Sequence, residues 1–398
     1  MQTKQPFIWS KLHNFGDTSG MRGDMDHINR AFPYQALEAK SSIVGIGGTP
    51  EGIDQNPLYY DFLYEQNFRS EPVKNLTSYL IKLNHKRYGL HETDPHVVLA
   101  WTYLLKSSYS QDFSVQDMTA VAHLDPRQSN SLFENDRYTP KPLFCDMYNA
   151  YFLLLKAASN MLHGMTDPFL YDLTNAGREV FAQLTIPMAL NFSDARSKES
   201  MNHEELSDTG RSYIELLLNL DSILGYNVAF LLDPWLESAR RLSQEDTMGD
   251  EHNDCVSPIL VNQSDEGCCS CFYEFNARSQ LTTWNPTPYN ANRVPGGPVD
   301  YAAKHWSGLI KSYYAKRASI MLKQALNDQQ SGQPLNSTEV DRLFAVHAYE
   351  WTTSVNSTSD NFATSSSLLR DRQNVSQENI RTSKEMLGKY FHWFQACH

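Results

Sequence analysis

The sequence predicts a mostly α-helical protein, in which strands and helices from the end of a (β/α)8 barrel precede an all-α domain. Two observations predict this fold class. Residues 1–72 alternate short apolar runs with loops, which is the rhythm of βα units. From residue 73 onward, apolar side chains recur at the spacing of amphipathic helices instead. The predicted domains are therefore residues 1–72, an incomplete barrel with about two of its eight strands, and residues 73–398.

The first domain contains two predicted strands, at residues 6–9 and 42–46, and a predicted helix at 57–68. The second strand continues into a glycine-rich turn that presents one carboxylate, Glu51. The loop that follows a barrel strand is where an α/β barrel holds its catalytic groups. On pattern alone, a solvated glutamate in a tight turn explains the segment equally well. A phosphate-binding loop is excluded, because Pro50 occupies the third glycine position and no lysine follows.

The second domain is predicted as a series of helices. Leu76, Tyr79, Leu80 and Leu83 share one helix face, and Asp94-Pro95 marks the start of the next helix. Polar or proline-rich segments separate the later helices, at residues 111–141, 243–267 and 283–298. The remaining helices are predicted at 98–105, 144–155, 169–185, 207–241, 300–327, 337–353 and 376–394.

Composition excludes several classes of protein. The formal net charge of −12 and the isoelectric point of about 5.5 argue against a nucleic-acid or anionic-membrane partner. They suit an acidic compartment, although many cytosolic proteins are equally acidic. The sequence has no apolar run long enough for a transmembrane helix, and no apolar segment of a signal peptide follows the first five residues.

Cysteines and glycosylation motifs point to the secretory route. Six cysteines allow fifteen disulfide pairings, and the 268–271 cluster lacks the spacing of a zinc site. Six Asn-x-Ser/Thr motifs favour a lysosomal or secreted glycoprotein. They begin at Asn75, Asn191, Asn262, Asn336, Asn356 and Asn374.

Three sequence blocks carry a resemblance to one enzyme family. They lie at residues 6–23, at 45–56 and, in the helical domain, at 278–284 followed by 300–314. Their residues and order resemble the α-N-acetylglucosaminidases of glycoside hydrolase family 89. The resemblance implies a retaining exo-glycosidase that removes terminal, non-reducing α-linked N-acetylglucosamine, as in heparan-sulfate-type chains. It implies no metal and no organic cofactor.

The resemblance also assigns one catalytic group. Retaining glycosidases use two carboxyl groups about 5 Å apart, and Glu51 matches the nucleophile of the family. The acid/base residue of the family follows an asparagine on an earlier strand, and this sequence contains no Asn-Glu dipeptide. We therefore expect the chain to be the C-terminal part of such an enzyme, inactive when isolated. The alternative is a non-catalytic fragment or pseudoenzyme that acts as a helical carbohydrate- or protein-binding module.

The substrate-binding residues implied by the resemblance come from both domains. Alternative roles are core packing for Trp9, a structural histidine for His13, and interdomain packing for the positions in the helical domain. Arg278 is expected to pair with a carboxylate rather than contact substrate. Self-association into a homo-oligomer is left open by the sequence. The implied set is Trp9, His13, Asn14, Trp284, Asp300 and Tyr301.

Overall fold

A computed structural model describes most of the helical chain and the two predicted strands. The described residues are 5–13, 21–30, 34, 41–49, 56–89, 94–110, 119–122, 124, 141–161, 165–198, 202–246, 269–282, 300–355, 364, 368 and 372–397. They form two compact units. The first unit comprises residues 1–118, 135–183 and 376–398, and the second comprises 119–134 and 184–375.

The first unit begins with two parallel strands, β1 (Phe7–Lys11) and β2 (Ile43–Gly48). Helix α1 (Met25–Arg30) lies between them in sequence, and α2 (Pro57–Glu65) follows β2. Parallel strands require a crossover connection, so this arrangement is the βα pattern that the sequence predicts.

Local sequence signals explain where the other helices of the first unit begin. The Asn75 side chain accepts a hydrogen bond from the Ser78 N–H at the start of α3 (Leu76–Arg87). Asp94 caps α4 in the same way, and Pro95 occupies its first turn. The unit is completed by α4 (Pro95–Lys106), α5 (Lys141–Asn160), the first part of α6 (Asp167–Ser197), most of α12 (Arg372–Lys389) and α13 (Phe391–Phe394).

A buried polar network lies at the centre of the first unit. The Tyr88 hydroxyl donates to Asp172 Oδ2 at 2.6 Å, and the Trp101 indole N–H donates to the Tyr88 oxygen at 3.1 Å. Arg87 forms an ion pair with the same carboxylate at 2.8 Å. A disulfide joins Cys145 on α5 to Cys397 near the C-terminus, across 252 residues of sequence.

The second unit contains the rest of α6 and the helices that follow it. These are α7 (His203–Leu224), α8 (Asp233–Asp246), α9 (Cys269–Leu281), a π-helix (Ile310–Tyr314), α10 (Ala315–Gln330) and α11 (Ser337–Thr353). The prediction for 337–353 therefore has the observed bounds. Every helix in the described part of the chain is too short or too polar to span a lipid bilayer.

The predicted helix over 207–241 is wrong at its centre, because α7 ends at Leu224 and α8 begins only at Asp233. In the gap, the Ser307 N–H donates to the Phe230 carbonyl and the Leu232 N–H donates to the Ser307 carbonyl. Backbone groups of a distant segment thus replace the bonds of a continuous helix.

The predicted helix over 300–327 is wrong at its start, because helical structure begins only at Ile310. Asp300 and Ala303 have φ values of 55° and 42°, which no right-handed helix accommodates. The Asp221 carboxylate accepts hydrogen bonds from the Gly308 and Lys311 N–H groups at 2.8 and 2.9 Å, so a side chain of α7 fixes where this helix begins.

The predicted helix over 376–394 is also interrupted. It is α12 up to Lys389 and then the short α13 from Phe391, with Tyr390 between them outside helical geometry. By contrast, the helix predicted at 169–185 is longer than expected. It runs from Asp167 to Ser197 and contains Pro187.

Candidate functional site

The carboxyl ends of β1 and β2 lie side by side. Trp9 is paired with Ile46, and Lys11 is paired with Gly48. One residue further on, the Thr49 N–H donates to the Lys11 carbonyl at 2.9 Å. Because both strands run in the same direction, the segments that leave them start at the same edge of the sheet. That edge is where the chain continues toward His13 from β1 and toward Glu51 from β2.

The predicted site residues fall into two classes. Trp9, His13, Asp300 and Tyr301 are among the described residues, whereas Glu51, Asn14 and Trp284 lie outside them. The role of each residue in the set remains a prediction. The surroundings of the first four residues are described below.

His13 is buried, with 2% of its surface exposed. Its imidazole stacks on the Tyr59 ring at 3.8 Å between centroids and meets the Tyr60 ring edge-on at 5.4 Å. Burial, and to a smaller extent the positive charges of Arg22 and Lys11, lower the pKa of His13 to about 3. The imidazole is therefore neutral at physiological pH, so it can donate one hydrogen bond and accept another, but carries no charge.

Trp9 is half-buried at the centre of β1, and its neighbours Ile8 and Ser10 are exposed. The two-stranded sheet also leaves apolar side chains in contact with solvent. Ile8 is 64% exposed, and Val44 on β2 is 68% exposed. An apolar strand surface of this kind is normally covered by neighbouring elements.

The segment 21–23, which belongs to the first sequence block, is held by three residues that the sequence did not single out as functional. Glu179 on α6 accepts the Met21 N–H at 3.0 Å. Asn56, just before α2, donates to the Arg22 carbonyl at 3.1 Å and accepts from the Tyr109 hydroxyl at 3.1 Å. Tyr59 lies so close to Gly23 that an added Cβ would come within 2.2 Å of its ring.

These contacts place the start of α2 against segment 21–23, and Asn56 follows Glu51 by five positions in the sequence. A sequence signal existed only for Asn56, which belongs to the Glu51 block. Glu179 has no local signature, because the residue it binds is 158 positions away.

Asp300 lies in the second unit and is 3% exposed. Its carboxylate forms an ion pair with Arg317, whose guanidinium lies 4.7 Å from the Phe344 ring centroid. Burial, together with the negative charge of Asp300, raises the pKa of the Tyr313 hydroxyl. Tyr301, the next residue, is half-buried. The pairing with Arg317 shows that at least one carboxylate oxygen of Asp300 has a structural role.

Arg278 pairs with a carboxylate, as predicted. Its Nε donates to Glu274 Oε1 at 2.9 Å, and Arg240 binds the other oxygen of Glu274 at 2.6 Å. Burial raises the pKa of Glu274, but the hydrogen bond from Arg240 and the charge of Arg278 outweigh it, so the net pKa lies below its usual range. The Arg278 guanidinium also lies 4.7 Å from the Trp351 ring centroid.

Comparison with known proteins gives two matches to family models. Residues 79–377 match the alpha-N-acetylglucosaminidase (NAGLU) C-terminal domain, and residues 1–70 match the alpha-N-acetylglucosaminidase (NAGLU) tim-barrel domain. Human alpha-N-acetylglucosaminidase is 30% identical over 346 residues, which cover 85% of this chain and 40% of that protein.

Solved structures with the same fold come from Clostridium perfringens. A variant of its family 89 enzyme in complex with its substrate GlcNAc-alpha-1,4-galactose has a TM-score of 0.71 at 22% identity, covering 95% of this chain and 39% of that one. The family 89 glycoside hydrolase of the same organism in complex with 2-acetamido-1,2-dideoxynojirmycin has a TM-score of 0.71 at 21% identity. The match covers 96% of this chain and 39% of that one. The chain thus spans about 40% of the length of these relatives. The matches confirm the predicted fold class of barrel strands followed by an all-α domain.

Proposed function

Because the chain belongs to the alpha-N-acetylglucosaminidase family, glycoside hydrolase family 89, we propose that it forms part of a retaining exo-glycosidase. The substrate is a glycan with a terminal, non-reducing α-linked N-acetylglucosamine. The observation that carries the proposal is the parallel pairing of β1 and β2, with the Thr49 N–H bonded to the Lys11 carbonyl. Because of this pairing, the segment with His13 and Asn14 and the segment with Glu51 both leave the sheet from the same edge.

In the proposed mechanism, the ionised Glu51 carboxylate attacks the anomeric carbon and forms a covalent glycosyl-enzyme. A second carboxyl group protonates the departing oxygen and then takes a proton from the water that hydrolyses the intermediate. We assign no residue of this chain to that second role, because the Asn-Glu dipeptide of the family does not occur in it. The isolated chain is therefore proposed to be inactive.

The remaining predicted residues are proposed to bind the sugar. Trp9 offers an apolar ring to the C–H face of the pyranose, and His13 and Asn14 bond its hydroxyls. The neutral state of His13 suits this role, since a neutral imidazole both donates and accepts. Trp284, Asp300 and Tyr301 are proposed to complete the pocket from the helical domain.

The proposed location is lysosomal or secreted, and the proposed substrates are heparan-sulfate-type glycans. Of the six glycosylation motifs, the four whose asparagines lie among the described residues are all exposed: Asn75, Asn191, Asn336 and Asn374. The Cys145–Cys397 disulfide is typical of proteins from an oxidising compartment.

The test uses an aryl α-N-acetylglucosaminide and a chain extended upstream by barrel strands that supply the acid carboxyl group. Glu51→Gln in this protein should abolish turnover and leave the melting temperature unchanged, because an amide cannot act as the nucleophile. Glu71→Gln, at an exposed glutamate between α2 and α3, serves as the matched control and should retain full activity. Turnover that survives Glu51→Gln would refute the assignment.

The second candidate is the non-catalytic binding module. The exposed apolar side chains Ile8 and Val44 favour it for the isolated chain, since a two-stranded sheet cannot form a closed barrel pocket. An extended chain that binds N-acetylglucosamine without hydrolysing the aryl glycoside would support this candidate instead.

A further inference from the structure

An open groove of about 650 Å³ lies on the surface of the first unit. It is formed mainly by α5 and α12, with His96 of α4 and Phe391 of α13 at its border, and is defined by Tyr148, Phe152, Lys156, Lys384, Gly388 and Phe391. Its volume falls within the roughly 300–1,000 Å³ of ligand-binding pockets. None of the residues to which the predictions above assign a catalytic or sugar-binding role lines it.

The floor of the groove is aromatic. Phe152 on α5 is half-buried, and Tyr148, one turn before it, lies beneath the surface with 2% exposure and its ring plane 7° from parallel to that of Phe152. Phe391, at the start of α13, is 47% exposed, which is unusual for a phenylalanine. Aromatic rings at a solvent-accessible surface offer an apolar contact to the C–H faces of sugar rings.

Two ammonium groups border these rings. Lys156 Nζ lies 4.5 Å from the Phe152 ring centroid, so a cation–π interaction holds its charge over the aromatic floor. Lys384 Nζ donates to Ser159 Oγ at 2.9 Å, and an ammonium group has three donors in total. Both ammonium groups belong to exposed residues at the groove and can still bond an anion.

The electrostatics of the groove differ from those of the whole chain. The formal net charge is −12, yet none of the described residues that line the groove carries a carboxylate. On the outer part of α12, Glu378 and Glu385 both pair with Arg381, at 2.5 and 2.9 Å. The positive charge of the two groove lysines is therefore not balanced by acids within the groove.

We propose that this groove is an accessory binding site for a sulfated oligosaccharide, with the sugar rings on the aromatic floor and sulfate groups on Lys156 and Lys384. The exposed side chain of Asn160 at the groove can both donate to and accept from the hydroxyl groups of a sugar. The proposal goes beyond the catalytic function and does not depend on it, because it concerns binding alone.

The test is isothermal titration calorimetry of the 398-residue chain with a sulfated tetrasaccharide. The same tetrasaccharide without sulfate and the ten-carbon fatty acid decanoate are the comparison ligands. We expect only the sulfated sugar to bind, with an affinity that falls between about 50 mM and about 300 mM salt as its charges are screened. Equal binding of the unsulfated sugar, binding of decanoate alone, or no binding would overturn the proposal.

Substitutions locate the binding to the groove. Lys156→Gln and Lys384→Gln should each weaken it roughly three- to fivefold, as expected for exposed ion pairs. Lys389→Gln is the matched control, because this exposed lysine lies on the same helix outside the groove. Unchanged affinity in both groove variants would place the sugar elsewhere and refute the site.

A steric variant tests the same site without altering charge. A Cβ at Gly388 would meet no atom within 4 Å, so Gly388→Leu should fold and extend its side chain into the groove, weakening binding at least about fivefold. Gly388→Ala adds only one methyl group and should bind normally. Far-UV circular dichroism establishes that each variant is folded, and full affinity in folded Gly388→Leu would contradict the proposal.

Discussion

Acidification should destabilise the protein through His13. In the folded chain burial lowers the pKa of this imidazole to about 3, whereas its ordinary value is 6.5. As the pH falls below 6.5, His13 becomes protonated in the unfolded chain. In the folded chain His13 stays neutral until the pH approaches 3. Protonation therefore favours the unfolded state throughout this window.

The size of the effect follows from the same two values. Between them, the free energy of unfolding decreases by about 1.4 kcal/mol per pH unit. A change from about pH 7.5 to about pH 5.0 covers 1.5 units of the window, so His13 contributes a loss of about 2 kcal/mol. In an acidic compartment such as the proposed lysosome, His13 lowers the stability of the first unit by this amount.

The assay compares wild type with His13→Gln, which keeps a neutral polar side chain and removes the titration. Urea denaturation followed by far-UV circular dichroism gives the free energy of unfolding at both pH values. Wild type should lose about 2 kcal/mol more than the variant on acidification. Other groups titrate over the same range, including His347, whose pKa is lowered by burial to about 4. Their contributions are the same in both proteins and cancel when the two losses are subtracted. Equal losses in the two proteins would refute the argument.

Four further predictions concern the fold and the proposed site. Gly332, with a φ of 63°, terminates α10 by donating to the Gln329 carbonyl, so Gly332→Ala should cost about 1 kcal/mol. Gly388→Ala, at an open helical position, should instead stabilise the folded protein by about 0.5 kcal/mol. The melting temperature should therefore fall in Gly332→Ala and rise in Gly388→Ala. Trp284→Ala in the extended chain should raise KM or lower kcat at an unchanged melting temperature; a lowered melting temperature with normal kinetics would show a packing role instead. The isolated 398-residue chain should lack the roughly 10²–10⁴-fold contribution of acid catalysis, and measurable turnover of an aryl α-N-acetylglucosaminide by it would contradict the proposal that no residue of this chain acts as the acid/base.

Helix starts and strand positions were predictable because their signals are local. Asn75 and Asp94 cap helices with side chains that reach only two or three residues along the chain. The apolar runs around Ile8 and Ile46 form the two observed strands. The pairing of Arg278 was also predictable, since Glu274 lies one helical turn before it.

The same local logic failed where distant segments meet. Nothing between residues 207 and 241 indicates that the backbone of Ser307 will replace a turn of helix there. Likewise, the start of helical structure near Ile310 depends on Asp221, which is 87 residues from the Gly308 N–H that it binds. A periodic pattern records which face of a helix is apolar, but not which backbone groups find partners elsewhere.

The sequence by itself determined the fold class, the family and the residue types proposed for catalysis, because period, capping and motif spacing are properties of neighbouring residues. Only the tertiary structure decided that Glu179 would hold the Met21 backbone, that Arg317 would pair with Asp300, and that Cys145 would bond to Cys397. Each of these contacts joins residues that are separated by 17 to 252 positions. Such pairs form when packing of whole helices brings them together, and no short stretch of sequence carries that information.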